Sequence, residues 1–201
     1  MGKPRRTKDG VPIRFVFLDE SGHPFYDEDG PGQFVMSAVI VDDPSDAFTI
    51  IDGDMGKEKG RTYTGEHKHS HASNTRNERI VDDMGEDGMM TIVTSEPIRN
   101  IVDHSVENGP LMYRGVLSRM LANVAKYGKP GIYRIRLDDS EYIDEPDLLL
   151  LSQAAFAGYD DKELAKHAPV RLYDSEFCVP IQLADTTVGE YIVSYLIFFN
   201  N

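Results

Sequence analysis

Apolar positions along the chain fall into two patterns, short β-rich runs and longer stretches with helical spacing. Residues 13–18, IRFVFL, are almost wholly apolar and rich in β-favouring types, as in a central strand buried on both faces. Asp19 ends that run abruptly, and SGHPFYDEDGPG at 21–32 is dense in turn formers. FVMSAVIV at 34–41 then reads as a second strand, antiparallel to the first. A helix is predicted after Pro44, passing into a polar, glycine-containing stretch up to residue 65. Ser73 through Met84 places Ile80, Val81 and Met84 at helical spacing, with a start as early as Glu66 also open. MMTIVTSEPI at 89–98 predicts a third strand. In PLMYRGVLSRMLANVAKY at 110–127, Leu111, Val116, Leu117, Met120, Leu121 and Val124 recur at helical spacing, after a proline suited to a first turn and before Gly128. IYRIRL at 132–137 alternates cleanly, a helix is predicted over 145–157, VRLY at 170–173 is a short fifth strand, and Pro180 opens a final helix. The pattern predicts an α/β fold, a mixed five-stranded sheet with an antiparallel opening hairpin and helices on both faces.

Composition changes this picture little. At 201 residues the chain is long enough for one domain that buries roughly 70% of its unfolded surface, and residues 11–201 are expected to form it. Residues 1–10, with Lys3, Arg5, Arg6 and Lys8, read as a flexible basic tail. The single cysteine, Cys178, excludes an intramolecular disulfide and a four-cysteine zinc site, and favours a reducing compartment. No signal-peptide core follows the basic start, and the longest apolar stretch, 191–199, is far short of the roughly 20 residues that span a bilayer. A cytoplasmic protein with no membrane partner is expected; nothing in the sequence fixes its oligomeric state. The net charge of −13 argues against unspecific affinity for nucleic acid. Carboxylates that bind metal ions nevertheless make a locally positive site from acidic residues.

The chemistry lies in carboxylates placed where packing prefers apolar residues. On the last helix Ile181, Asp185, Val188, Ile192, Tyr195 and Phe199 form one stripe, and only Asp185 is out of place. A buried acid must be paired, hydrogen-bonded, protonated or bound to a cation; the bland alternative is a salt bridge to Arg134 or Arg136. Asp19 poses the same problem at a strand end, where it could equally cap the following turn. Asp139 ends another strand on the face of Tyr133, Ile135 and Leu137, whereas Asp138 falls on the other face. Carboxylates from unrelated elements that converge repel one another unless divalent cations sit between them. Two Mg²⁺ or Mn²⁺ ions roughly 4 Å apart would activate a water and stabilise a leaving oxygen in phosphodiester hydrolysis.

FLDESG at 17–22, GEHKHS at 65–70, and YDS followed by IQLADTTVG at 173–189 resemble the motifs of domain of unknown function family 3800, whose proteins resemble ribonuclease H in fold. The resemblance spans roughly residues 13–190, with DESG and QLAD its most specific pieces. It implies a ribonuclease H-like fold, with Asp19 as the acid of the first strand, Glu66 as that of the first long helix followed by Lys68, and Asp185 as that of the terminal helix. LDDSEYI supplies the remaining acid, Asp139 with Ser140, or else Asp138. Asp174 and Gln182 are implied to border the site. Cys178 and Pro180, which interrupt the link between YDS and QLAD, and the histidine-rich surroundings of Glu66 depart from the family pattern.

His67, His69 and His71 alternate in HKHSH, with His23 and His104 elsewhere; in a strand the three would share a face, and in a helix they would fan apart. His67 or His69 could contact substrate or move protons beside metals. The expectation is therefore a two-metal nuclease acting on RNA or DNA. Asp19, Asp139 or Asp138, and Asp185 would hold metal, Glu66 would complete the set, and Lys68, His67 and Gln182 would face substrate. The alternatives are a nonenzymatic interaction or regulatory protein that keeps the fold, and a small-phosphoester metallohydrolase built on His67 or His69.

Overall fold

The computed structural model describes residues 5–22, 24, 33–57, 74–97, 108–157, 170–174 and 178–199. In chain order the elements are β1 (Ile13–Ser21), β2 (Gln33–Val41), α1 (Pro44–Lys57), α2 (Asn74–Glu86), β3 (Met90–Pro97), α3 (Gly109–Tyr127), β4 (Ile132–Asp138), α4 (Glu145–Ala157), β5 (Val170–Tyr173) and α5 (Val179–Phe199). The strands form one sheet in the order β3-β2-β1-β4-β5. β1 pairs antiparallel with β2 and β2 antiparallel with β3, while β4 runs parallel to β1 and β5 parallel to β4. This is the mixed five-stranded sheet, opened by an antiparallel hairpin, that the apolar pattern predicts.

β1 lies at the centre because both of its faces are apolar. Val16 and Leu18 pack on one side with Val116, Leu117, Met120 and Leu121 of α3 and with Leu148 and Phe156 of α4. Phe15 and Phe17 pack on the other side, with α1, α2 and α5 represented by Ile50, Ile80 and Ile181. Full burial of such a side chain contributes about 1.5–3 kcal/mol, so the two cores hold the sheet between two helical layers. β4 differs: Tyr133, Ile135 and Leu137 are buried under α3, whereas Ile132, Arg134, Arg136 and Asp138 on the opposite face are only half-buried.

Pro110 occupies the first turn of α3, as expected, and the Gly128 N–H closes the helix on the Val124 carbonyl at 2.9 Å. Glycine is required there by close approach, since a Cβ would run into the Tyr133 hydroxyl. Residues 5–10, expected within a flexible tail, fold back as a tight turn. Thr7 N–H donates to the Val11 carbonyl at 2.9 Å and Ile13 N–H to the Arg5 carbonyl at 2.7 Å. The Arg5 guanidinium then lies 5.7 Å from the Phe15 ring centroid. Among the described residues no helix is long and apolar enough to cross a membrane.

Candidate active site

The register of the parallel strands brings the first two acids together. β1 and β4 pair as far as Leu18 with Leu137, and one step further sets Asp19 beside Asp138. Leu18 and Leu137 face α3, so alternation turns both carboxylates toward the opposite face, the one α5 covers. α5 delivers Asp185 to the same place. Its position is fixed by Ser37, the cross-strand partner of Asp19 on β2, whose buried hydroxyl donates to the Ala184 carbonyl at 2.7 Å. Immediately after the acids, Gly22 takes φ 86°, a left-handed turn that glycine adopts without the strain a Cβ would bring.

Asp19 is 7% exposed. Burial holds its carboxyl well above the ordinary carboxylate range, and the neighbouring Glu20, Asp138 and Asp185 push it further up. The Glu20 N–H, donating to Oδ1 at 2.7 Å, acts in the opposite direction. Glu20 itself is raised to about 7, first by burial and then by Asp138, while hydrogen bonds from Tyr113 and Ser140 oppose the shift. The Tyr113 hydroxyl donates to Oε2 at 3.0 Å and is itself pushed up by burial and by Glu20. Four carboxylates from β1, β4 and α5 therefore share one electrostatic neighbourhood.

The acid that β4 supplies is Asp138, the alternative to Asp139 in the sequence reading. Asp139 is exposed, and its backbone N–H donates to the Tyr173 carbonyl at 2.9 Å. Asp174 is also exposed. Gln182 is 1% exposed, one turn before Thr186, whose hydroxyl donates to the Gln182 carbonyl at 2.9 Å. Glu66, His67, Lys68, His69 and His71, with His23 and His104, lie outside the described residues.

Sequence reasoning passed over three residues that the geometry brings in: Glu20, Ser37 and Tyr113. Ser37 carried a signal, as the only polar residue of FVMSAVIV. Removing its hydroxyl in Ser37→Ala is expected to cost about 1 kcal/mol in urea denaturation, the net worth of one buried hydrogen bond. An unchanged midpoint would mean that α5 is held without it.

The donor set suits a hard divalent cation. It consists of carboxylate oxygens, and the charges acting on Asp19 are negative, so a cation would relieve the repulsion that raises its pKa. In position the match is not met: among the described residues no group of three or more His, Cys, Asp and Glu side chains is placed to hold a metal ion.

No protein-family model matches the chain, and comparison with curated proteins gives no match. Solved structures do match. The ribonuclease HII of Archaeoglobus fulgidus, determined as a complex with PCNA, superposes with a TM-score of 0.56 at 12% identity, covering 93% of this chain and 78% of that one. The ribonuclease H2 of Pyrococcus horikoshii OT3 gives 0.51 at 14% identity, over 91% and 75% of the two chains. Bst-RNase HIII in complex with Mn²⁺ gives 0.52 at 15% identity, over 92% of this chain but 54% of that one. The fold is thus ribonuclease H-like, an α/β architecture shared with nucleases.

Proposed function

We propose that the chain is a divalent-metal-dependent nuclease that hydrolyses phosphodiester bonds in RNA or DNA. The single observation that supports this most is the buried Asp19 carboxyl, pressed upward by the carboxylates of Glu20, Asp138 and Asp185. A fold gains nothing from gathering four acids at a sheet end, and perturbed groups of this kind concentrate at functional sites. The likeness in fold to ribonucleases, one of them determined with Mn²⁺, supports the same reading.

In this reading Asp19, Asp138 and Asp185 hold Mg²⁺ or Mn²⁺, Glu20 lies at the edge of the set, and Glu66 completes it as the motif resemblance implies. Bound there, a pair of ions supplies a water activated at neutral pH and a counter-charge for the leaving oxygen. The chain contributes orientation: Ser37 fixes α5 against β2, and Tyr113 with Ser140 holds the Glu20 carboxyl. Residence in the cytoplasm and membership of domain of unknown function family 3800 belong to this proposal.

The test is a panel of labelled single strands, duplexes and RNA–DNA hybrids incubated with Mg²⁺ or Mn²⁺. Cleavage with either ion, abolished by EDTA, is the expected result. Within that assay Asp138→Asn is expected to lose at least about a hundredfold in rate, while Asp139→Asn retains the parental rate. The reverse order of effects would move the site to the other face of β4. The net charge of −13 favours a second reading, a nonenzymatic binding protein that keeps the fold. Metal binding by calorimetry with no cleavage of any panel member would select it.

A further inference from the structure

The acid site does not end at Asp138. Side chains two apart on a strand share a face, so Arg134, Arg136 and Asp138 form one line along β4, on the side away from Tyr133, Ile135 and Leu137. β5 extends the same surface, because Arg136 pairs with Arg171 and Asp138 with Tyr173. Val170 and Leu172 pack on the α3 and α4 side, which leaves Arg171 and Tyr173 on the side of the arginines. α5 packs chiefly over β1 and β2, so this strip stays partly open: the Arg171 side chain is 58% exposed and Tyr173 38% exposed.

We propose that this strip is a track for the backbone of a single polynucleotide strand, with Arg134, Arg136 and Arg171 engaging phosphates and Tyr173 stacking a base next to the acids. The proposal rests on the nuclease reading for what happens at the Asp138 end. Three observations carry it. First, a chain of net charge −13 places three arginines on adjacent positions of two paired strands, where like charges repel. The crowding is closest where Arg136 sits directly across from Arg171. An anion over the strip would relieve it, and guanidinium forks match phosphate oxygens.

Second, an exposed aromatic ring adjoins the charges. The Arg136 guanidinium lies 5.3 Å from the centroid of Tyr173, which is exposed, whereas Phe15, beside Arg134, is buried in the core. A basic group beside an exposed stacking ring is the pairing that single-strand binding uses. Third, the dimensions suit one strand. Successive rows along β4 are about 7 Å apart and the two strands about 5 Å apart, so the three arginines lie within the reach of one backbone. Arg171 also pairs with Glu145 at 3.0 Å, an exposed ion pair of the kind that exchanges readily for another anion.

The experiment uses the full chain with Ca²⁺ in place of Mg²⁺ and measures anisotropy of fluorescein-labelled 12-nucleotide RNA and DNA single strands over a salt series. The wild-type protein is expected to bind, and the double variant Arg134→Gln, Arg171→Gln to bind at least about tenfold more weakly. Its salt slope should be shallower by about 1.4, roughly 0.7 for each phosphate that is no longer neutralised. Tyr173→Ala is expected to weaken binding about tenfold. Thermal melts of each variant confirm folding, and the exposed Arg171→Gln single change provides a readout that does not disturb the half-buried positions. Unchanged affinity and slope in folded variants overturns the track, as does absence of wild-type binding or equal competition by polyglutamate. Arginine-dependent binding without cleavage by the Mg²⁺-loaded protein would keep the track and remove the nuclease. Cleavage with a wild-type KM in the arginine variants would do the opposite.

Discussion

The Asp19→Asn protein is expected to lose about 10²–10³-fold or more of its Mg²⁺-dependent cleavage, while folding as the parent does. Asparagine keeps an oxygen that can accept the Glu20 N–H at the 2.7 Å position and removes only the charge. The same variant should melt at a higher temperature than the parent at pH 8 in EDTA, because the parent must hold an ionised carboxyl among Glu20, Asp138 and Asp185. Loss of function combined with gain of stability is a signature that a merely structural aspartate does not give. Robust turnover in this variant would remove Asp19 from the chemistry, and a lower melting temperature in EDTA would mean that its charge is compensated in the native protein.

Stability of the metal-free protein is expected to fall between about pH 4.5 and 7, and added Mg²⁺ or Mn²⁺ to restore it at pH 8. Glu20 takes up its proton near 4.5 in the unfolded chain and at about 7 in the fold. Over that window the folded state binds a proton that the unfolded state lacks. The stabilisation is therefore complete below the unfolded value and is lost as pH rises through the folded one. Asp19, also raised, contributes with the same sign, beginning near 3.8. For Glu20 alone the span corresponds to at most about 3 kcal/mol. Asp43, lowered chiefly by the Ser45 N–H, acts in the opposite sense but lies at the surface and adds little. Metal at a hundred times its dissociation constant would return about 3 kcal/mol. Urea midpoints at pH 5 and pH 8, with and without metal, measure both effects, and Glu20→Gln should flatten the metal-free profile. A midpoint that rises with pH in EDTA would contradict the crowded-acid description.

Much of the fold could be read from periodicity, because its strongest elements are those whose neighbours agree with their local pattern. β1 reads as a central strand since both sides are apolar, and α3 reads as a helix since its apolar stripe, Pro110 and Gly128 all point the same way. The candidate site was legible where an acid contradicts its surroundings, as at Asp19 and Asp185. The structure sets Asp138 rather than Asp139 beside Asp19, for a physical reason. The apolar face of β4 is the one α3 seals, while the acids gather on the face α5 covers only in part, where Arg134 and Arg136 replace apolar residues. An acid there breaks no hydrophobic pattern and gives no local signal. Glu20 was hidden by the assumption that the strand stops at Asp19; β1 runs on to Ser21. Ser37 and Tyr113 act through partners 147 and 93 residues away, which no window along the chain can reveal.

The acids of β1 and β4 meet their α5 counterpart only late in the chain, since Asp185 follows Asp19 by 166 positions. During translation the sheet strands emerge first, and Ser37 waits with its hydroxyl unengaged until Ala184 leaves the ribosome. A nascent chain therefore completes β1 to β5 before Asp185 joins Asp19 and Asp138.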